Sequence, residues 1–116
     1  MARSKESLQR AIDQIKALRE ELWKDVRVVG KADDFNAELE KALRLADFLE
    51  LGELMARDAR NREEACGGHF RVEHQTEEGE ARRDDEHFVY AAVWEYKGMN
   101  EAPEMTKEPL DFEFVH

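Results

Sequence analysis

The sequence predicts a mainly α protein: an antiparallel bundle of long helices followed by a small antiparallel β-hairpin region. Two changes along the chain carry that prediction. Apolar residues recur every three or four positions through the first half, and the spacing drops to two from His87 onward. Gly67-Gly68 punctuates the join. The 116 residues suit a single domain, with 1–66 as a helical hairpin and 67–116 as loop and β-hairpin.

The first helix begins after Ser4, whose hydroxyl suits a first-turn amide. Leu8, Ala11, Ile12, Ile15, Leu18, Leu22 and Val26 form its apolar stripe. Lys5, Glu6, Arg10, Asp13, Lys16, Arg19 and Glu20 fill the other face. The β-branched residues and Gly30 of Val26–Lys31 end the pattern.

A second helix is expected to start at an Asp33 or Asp34 cap, run to about Ala65 and stop at Gly67-Gly68. Its apolar arc is wide. Leu45, Phe48, Leu49, Leu51, Gly52, Met55 and Ala56 spread over about 160° of a wheel turned 100° per residue. Leu43 and Leu54 add apolar surface outside that arc. One partner helix covers a narrower stripe than this. The remaining face therefore needs the second half of the chain, a partner, or a further helix ahead of Met1.

In the second half, Phe88, Tyr90, Ala92, Trp94 and Tyr96 share one side of a strand over His87–Tyr96. Leu110, Phe112 and Phe114 alternate in the same way and predict its partner, with Gly98–Pro109 as a long connection. Phe70 and Val72 suit a short third strand, and the charged run Gln75–Glu86 a solvated loop.

Composition narrows function by exclusion. Eighteen Lys and Arg against 28 Asp and Glu give a net charge of −10, the wrong sign for nucleic acid or an anionic lipid surface. Cys66 is the single cysteine, so an internal disulfide is excluded. No signal-peptide or membrane-spanning apolar run is present. Cys66, His69, His74 and His87 could ligate a metal, but their spacing fits no common zinc motif. A Cys66 thiolate would face the wrong end of a helix dipole. Gly67-Gly68 follows a helix instead of opening one, so a helix stop and tight turn suit it better than a phosphate cradle. Arg71, Arg82 and Arg83 could clamp a carboxylate, yet Asp84, Asp85 and Glu86 favour internal ion pairs that pin the loop. Trp23 and Trp94 read as core or interface anchors. Nothing in this set assembles a nucleophile, a base and oxyanion donors.

Two runs carry a resemblance. They are Leu45-Ala46-Asp47-Phe48-Leu49-Glu50-Leu51-Gly52-Glu53-Leu54-Met55, and Asn61-Arg62-Glu63-Glu64-Ala65-Cys66-Gly67-Gly68-His69-Phe70-Arg71 with Arg83-Asp84-Asp85 downstream. Together they resemble the C-terminal domain of the flavoprotein subunit of succinate dehydrogenase and fumarate reductase. The stretch from Gly67 to Thr76 looks most like the branch with a single cytochrome b anchor subunit, and Cys66 supports that branch. The resemblance implies a spectrin-repeat-like bundle whose first helix is missing here. Met1-Ala2-Arg3 looks like the end of the phrase that closes that helix, and an expected Arg-Ser-Tyr tail does not follow His116.

By resemblance, the full subunit carries covalent FAD and oxidises succinate to fumarate by hydride transfer. It then passes electrons to an iron–sulfur subunit and a membrane quinone, sitting peripherally on the inner face of the bacterial cell membrane. The catalytic and flavin-binding residues of the family lie in domains outside this chain, so none is expected here. Gly67, Gly68, His69, Arg71, Arg83 and Asp84 are the motif candidates, with His69, Arg71 and Asp84 expected to order the loop. Expected partners are the flavin-binding domain of the same subunit, the iron–sulfur subunit and the cytochrome b anchor. A second copy of the chain on the exposed helix face is a further candidate. The competing readings are a free-standing acidic helical interaction module, or the related domain of L-aspartate oxidase or adenylylsulfate reductase.

Overall fold

The computed structural model describes residues 2–31 and 35–114. Among them are two helices and a two-stranded sheet, in the order α1 (Lys5–Asp25), α2 (Ala37–Asn61), β1 (Tyr90–Glu95), β2 (Glu104–Pro109). The chain divides into two compact units, Ser4–Arg60 and Met1–Arg3 with Asn61–His116.

In the helical unit, Ser4 caps α1 from an extended backbone (φ −136°, ψ 156°). The Ser7 amide donates to the Ser4 hydroxyl at 3.0 Å, and the Ser4 amide donates to Ser7 Oγ at 3.0 Å. Ser7 thus takes the place Glu or Gln usually holds in a reciprocal cap. Leu8 and Ile12 are the buried residues of α1. Gly30 adopts φ +117°, and a Cβ there would stand 2.5 Å from the Asn36 amide group.

Asn36 is the observed cap of α2. Its Oδ1 accepts from the amides of Glu38 (3.1 Å) and Leu39 (3.2 Å), while its Nδ2 donates to the Val29 carbonyl. Asp33 and Asp34, expected in that role, lie outside the described residues.

The helices meet at Gly52, where an added Cβ would stand 3.8 Å from Ile15 Cδ1. Beside it Glu53 is buried and pairs with Lys16 and Arg19 of α1 and with Arg57 one turn along α2. Ala42, Ala46, Leu49 and Ala56 are half-buried, whereas Leu43, Leu45, Phe48, Leu51 and Met55 are exposed. Trp23, at 57% exposure, anchors no core here.

The end of α2 corrects the sequence reading. The helix closes at Asn61, four residues before Ala65 and well short of the glycine pair. The reason lies in competing partners. The Arg62 carbonyl is taken by His69 and Arg71, the Ala65 amide donates to the Arg82 carbonyl (3.0 Å), and the Cys66 amide donates to the His69 carbonyl (2.8 Å). Backbone groups satisfied elsewhere have no call to continue the helical ladder.

The sheet also differs from expectation. β1 falls within His87–Tyr96, and its burial alternates, with Tyr90, Ala92 and Trp94 more covered than Ala91, Val93 and Glu95. Tyr96 lies beyond the strand and is exposed. The partner strand is Glu104–Pro109, antiparallel with Tyr90 opposite Pro109 and Trp94 opposite Met105. It therefore occupies the second half of the expected connection, and Leu110, Phe112 and Phe114 follow it, exposed. Cross-strand chemistry favours that register: Lys107 Nζ sits 4.8 Å from the Tyr90 ring centroid, and Lys97 pairs with both Glu95 and Glu104 at one end. The alternation of Leu110–Phe114 signalled one apolar side, not a buried one. Phe70 and Val72 form no full strand. The Phe70 carbonyl accepts from the Arg3 amide (2.8 Å) and the Val72 amide donates to the Arg3 carbonyl (2.8 Å), a single parallel bridge between Arg3 and Arg71.

Candidate functional site

The motif residues gather in the second unit, where the chain leaves α2 and turns back. The turn at Cys66–His69 closes on itself. The Cys66 amide donates to the His69 carbonyl at 2.8 Å, and the His69 amide donates to the Cys66 carbonyl at 3.0 Å. Gly67 sits at φ +56°, a left-handed conformation that glycine takes without strain. A Cβ at Gly67 or Gly68 would meet nothing within 4 Å. The pair therefore makes a tight turn in open space. The pair does not open a helix, so no helix N-terminus lies behind it to face a phosphate.

His69 closes this turn, and Arg71 follows it at the single bridge to Arg3. His69 Nε2 lies 2.9 Å from the Arg62 carbonyl, and its Nδ1 lies 3.1 Å from Arg3 NH1. Arg71 is the largest fully buried side chain among the described residues, only 1% exposed. Its Nε donates to Glu73 at 3.0 Å and its NH1 donates to the Arg62 carbonyl at 3.3 Å. One carbonyl thus gathers two motif side chains. A buried guanidinium is tolerated because its donors are used.

Asp84 and Arg83 stand apart from that cluster and from each other. The Asp84 amide donates to Glu64 at 3.0 Å, while its carboxylate accepts from the His87 amide (3.1 Å) and lies 2.9 Å from His87 Nδ1. The side-chain hydrogen bond with His87 holds the Asp84 carboxyl below its ordinary range, and the same bond raises the His87 imidazole. Arg83 is exposed and donates to Asp85 at 2.7 Å, a hydrogen bond that raises its already high pKa. Of the ion pairs expected between Arg71, Arg82, Arg83 and the run Asp84-Asp85-Glu86, Arg83–Asp85 is present, whereas Arg71 pairs with Glu73, outside that run.

Three residues of greater structural weight were not among the candidates. Arg62 donates to the carbonyls of Phe88 (3.0 Å) and Tyr90 (2.7 Å) and to Glu64 (2.7 Å). Its guanidinium carbon lies 5.7 Å from the Phe88 ring centroid and 5.0 Å from that of Tyr90. Glu64, 4% exposed, joins Arg62 to the Asp84 amide. Glu53 holds the helix pair as described above. The available signal was the resemblance: Arg62 and Glu64 stand in the run Asn61–Arg71 and Glu53 in the run Leu45–Met55, although neither run says what these side chains bond to.

The four candidate metal ligands do not converge. Among the described residues no group of three or more His, Cys, Asp or Glu stands close enough to hold an ion. His69 is engaged by Arg3 and Arg62, His87 by Asp84, and the Cys66 thiol is half-buried and free.

A family profile described as fumarate reductase flavoprotein C-term matches residues 1–116. The chain belongs to that family. Over 87 residues, 75% of the chain, it is 34% identical to the fumarate reductase flavoprotein subunit of Escherichia coli and 32% identical to that of a Serratia species. The match covers 14% of either relative, so the chain corresponds to a small part of their length. Among solved structures, the FrdA subunit of an E. coli quinol fumarate reductase carrying a point mutation superposes on 99% of the chain. Its TM-score is 0.82 at 26% identity, over 19% of its own length. A quinol–fumarate reductase with menaquinol molecules gives a TM-score of 0.80, also at 26% identity, with the same two shares covered. The flavoprotein C-terminal fold therefore accounts for the helix pair and hairpin together. Among the described residues, no helix of this family member is long and apolar enough to cross a membrane.

Proposed function

We propose that the chain serves as the C-terminal structural domain of a flavoprotein subunit that interconverts succinate and fumarate with FAD. The full subunit passes electrons to an iron–sulfur subunit and, through a cytochrome b anchor of the single-subunit type, to a membrane quinone. It lies peripherally on the cytoplasmic face of the membrane. The observation that carries this reading is the family match over residues 1–116. It is supported by what the motif side chains do: His69, Arg71, Asp84, Arg62 and Glu64 spend their hydrogen bonds on backbone groups and on one another. Residues so engaged order a loop, and they leave reaction chemistry and FAD to the rest of the subunit. The exposed apolar residues of α2, Leu45, Phe48, Leu51 and Met55, suit burial against an additional helix of that subunit.

Purifying the full-length protein that carries this chain tests the proposal. Retained flavin and reduction of fumarate by a reduced viologen dye are expected. A flavin-free protein that neither reduces fumarate nor oxidises succinate would overturn it.

A further inference from the structure

We propose that the outward face of the β1–β2 hairpin docks on the remainder of its own flavoprotein subunit, at an apolar surface rimmed by lysine or arginine. The inference rests on the functional reading above and adds to it a surface and the chemistry of what covers that surface. Directly opposed residues of an antiparallel pair share a face, and the two faces alternate along each strand. One face carries Tyr90, Ala92 and Trp94 and is turned toward Asn61 and Arg62. The Arg62 guanidinium carbon lies 5.0 Å from the Tyr90 ring centroid, and Asn61 Nδ2 lies 4.0 Å from Met105 Sδ. The other face is open among the described residues. It sets Ala91 against Glu108, Val93 against Thr106 and Glu95 against Glu104, and all six are exposed. Leu110, whose amide donates to the Val89 carbonyl at 3.2 Å, extends that side at 45% exposure.

Charge and size select the partner. Glu95 and Glu104 stand directly opposite each other, a like-charge pair that weakens a sheet. Lys97 is their shared counter-ion, 3.0 Å from Glu95 and 3.4 Å from Glu104. Glu108 has no ion pair among the described residues. Three carboxylates against one ammonium leave the rim negative, so a complementary rim is cationic. Ala91, Val93 and Leu110 lie between them, so the complementary centre is apolar.

Size decides between a tethered partner and a free one. The strands have six residues each, rising about 3.4 Å per residue and lying about 4.8 Å apart, so the face measures roughly 20 Å by 10 Å. That is far below the 800 Å² or so that each partner buries in a stable interface between separate chains. Neither a second subunit nor a second copy is held by so small a patch alone. A surface on the same polypeptide is, because tethering raises its effective concentration to the millimolar range. The relatives supply room for such a surface: this chain matches 14% of one and 19% of another.

Hydroxyl-radical footprinting of the purified full-length flavoprotein subunit, read by mass spectrometry and corrected for dose, tests the docking. Oxidation of Val93 and Leu110 is compared between the native and the unfolded protein. Their exposures of 53% and 45% alone would slow oxidation about twofold, whereas docking is expected to slow both about tenfold, because an interface centre packs like a protein interior. Slowing of only about twofold would overturn the proposal. So would protection that appears only when a further subunit is added, or only where the subunit dimerises. Glu108→Lys should speed Leu110 oxidation about threefold, the scale of one exposed ion pair, and Glu108→Gln should fall between. A Leu110 rate unchanged in Glu108→Lys contradicts a cationic rim. These outcomes depend on neither flavin content nor fumarate turnover. An open hairpin face on an active, flavin-loaded subunit would sink the docking and leave the functional reading standing.

Discussion

The two units of the chain reach order by opposite means. The helical unit, Ser4–Arg60, buries Leu8, Ile12 and Ala59 beside the charged Glu53, and leaves much larger side chains such as Phe48 and Met55 in the open. The loop unit buries Ala65 and Tyr90, and it also covers Arg71 and Glu64 almost completely. Elsewhere in that unit Leu110, Phe112 and Phe114 stay exposed. Hydrophobicity therefore does not rank burial in either unit. A charged group is buried where hydrogen-bond and ion-pair partners meet it, and an apolar one stays out where its own unit offers no surface to meet it.

The largest test of that contrast is Arg71→Met, which keeps most of the volume but removes the hydrogen bonds to Glu73 and the Arg62 carbonyl. A loss of about 3 kcal/mol in urea unfolding is expected, the upper range for breaking a buried polar network. A loss below 1 kcal/mol would mean that apolar contact, not hydrogen bonding, holds Arg71. In the helical unit, Glu53→Ala strands Arg19 and Arg57, both only about one-fifth exposed, so a loss of about 2 kcal/mol is expected. Glu53→Gln should recover part of it. Arg62→Lys keeps the charge but not the fork that reaches Phe88, Tyr90 and Glu64 together, at an expected 1–2 kcal/mol. Equal stability of the lysine variant would reduce Arg62 to a point charge.

The smallest effect is a pH window. His87 is raised by its hydrogen bond to Asp84, so its stabilisation is full below the ordinary imidazole value of 6.5 and is lost as pH climbs through the raised value. Asp84 is lowered, so its contribution is full above the ordinary 3.8 and is lost as pH drops through the lowered value. The melting-temperature difference between the parent and His87→Ala should therefore be greatest between about pH 4 and 6.5 and shrink on both sides. His87 is exposed and Asp84 only half-buried, which keeps it small. A difference that is flat with pH would remove the pair from the account.

Most of the helical unit was legible from spacing. Period and cap predicted a helix behind Ser4 with a stripe reaching Val26, and α1 runs Lys5–Asp25; Leu45, Phe48, Leu51 and Met55 of the wide apolar arc of α2 are left exposed. The loop unit was legible mainly through its resemblance to a known family, because its order comes from side-chain bonds to distant carbonyls. Such bonds leave no periodic trace: Arg62 reaches Tyr90 across 28 residues, and Ala65 reaches Arg82 across a charged loop. For the same reason the end of α2 and the position of β2 were misplaced. Both depend on partners that local pattern does not contain.

That the motif side chains brace the domain and perform no chemistry is tested most directly by fumarate turnover per bound flavin in full-length protein carrying Arg71→Met. The account predicts turnover per flavin within about twofold of the parent, together with a melting temperature several degrees lower. A fall of a hundredfold or more in turnover per flavin, at an unchanged melting temperature, would contradict it.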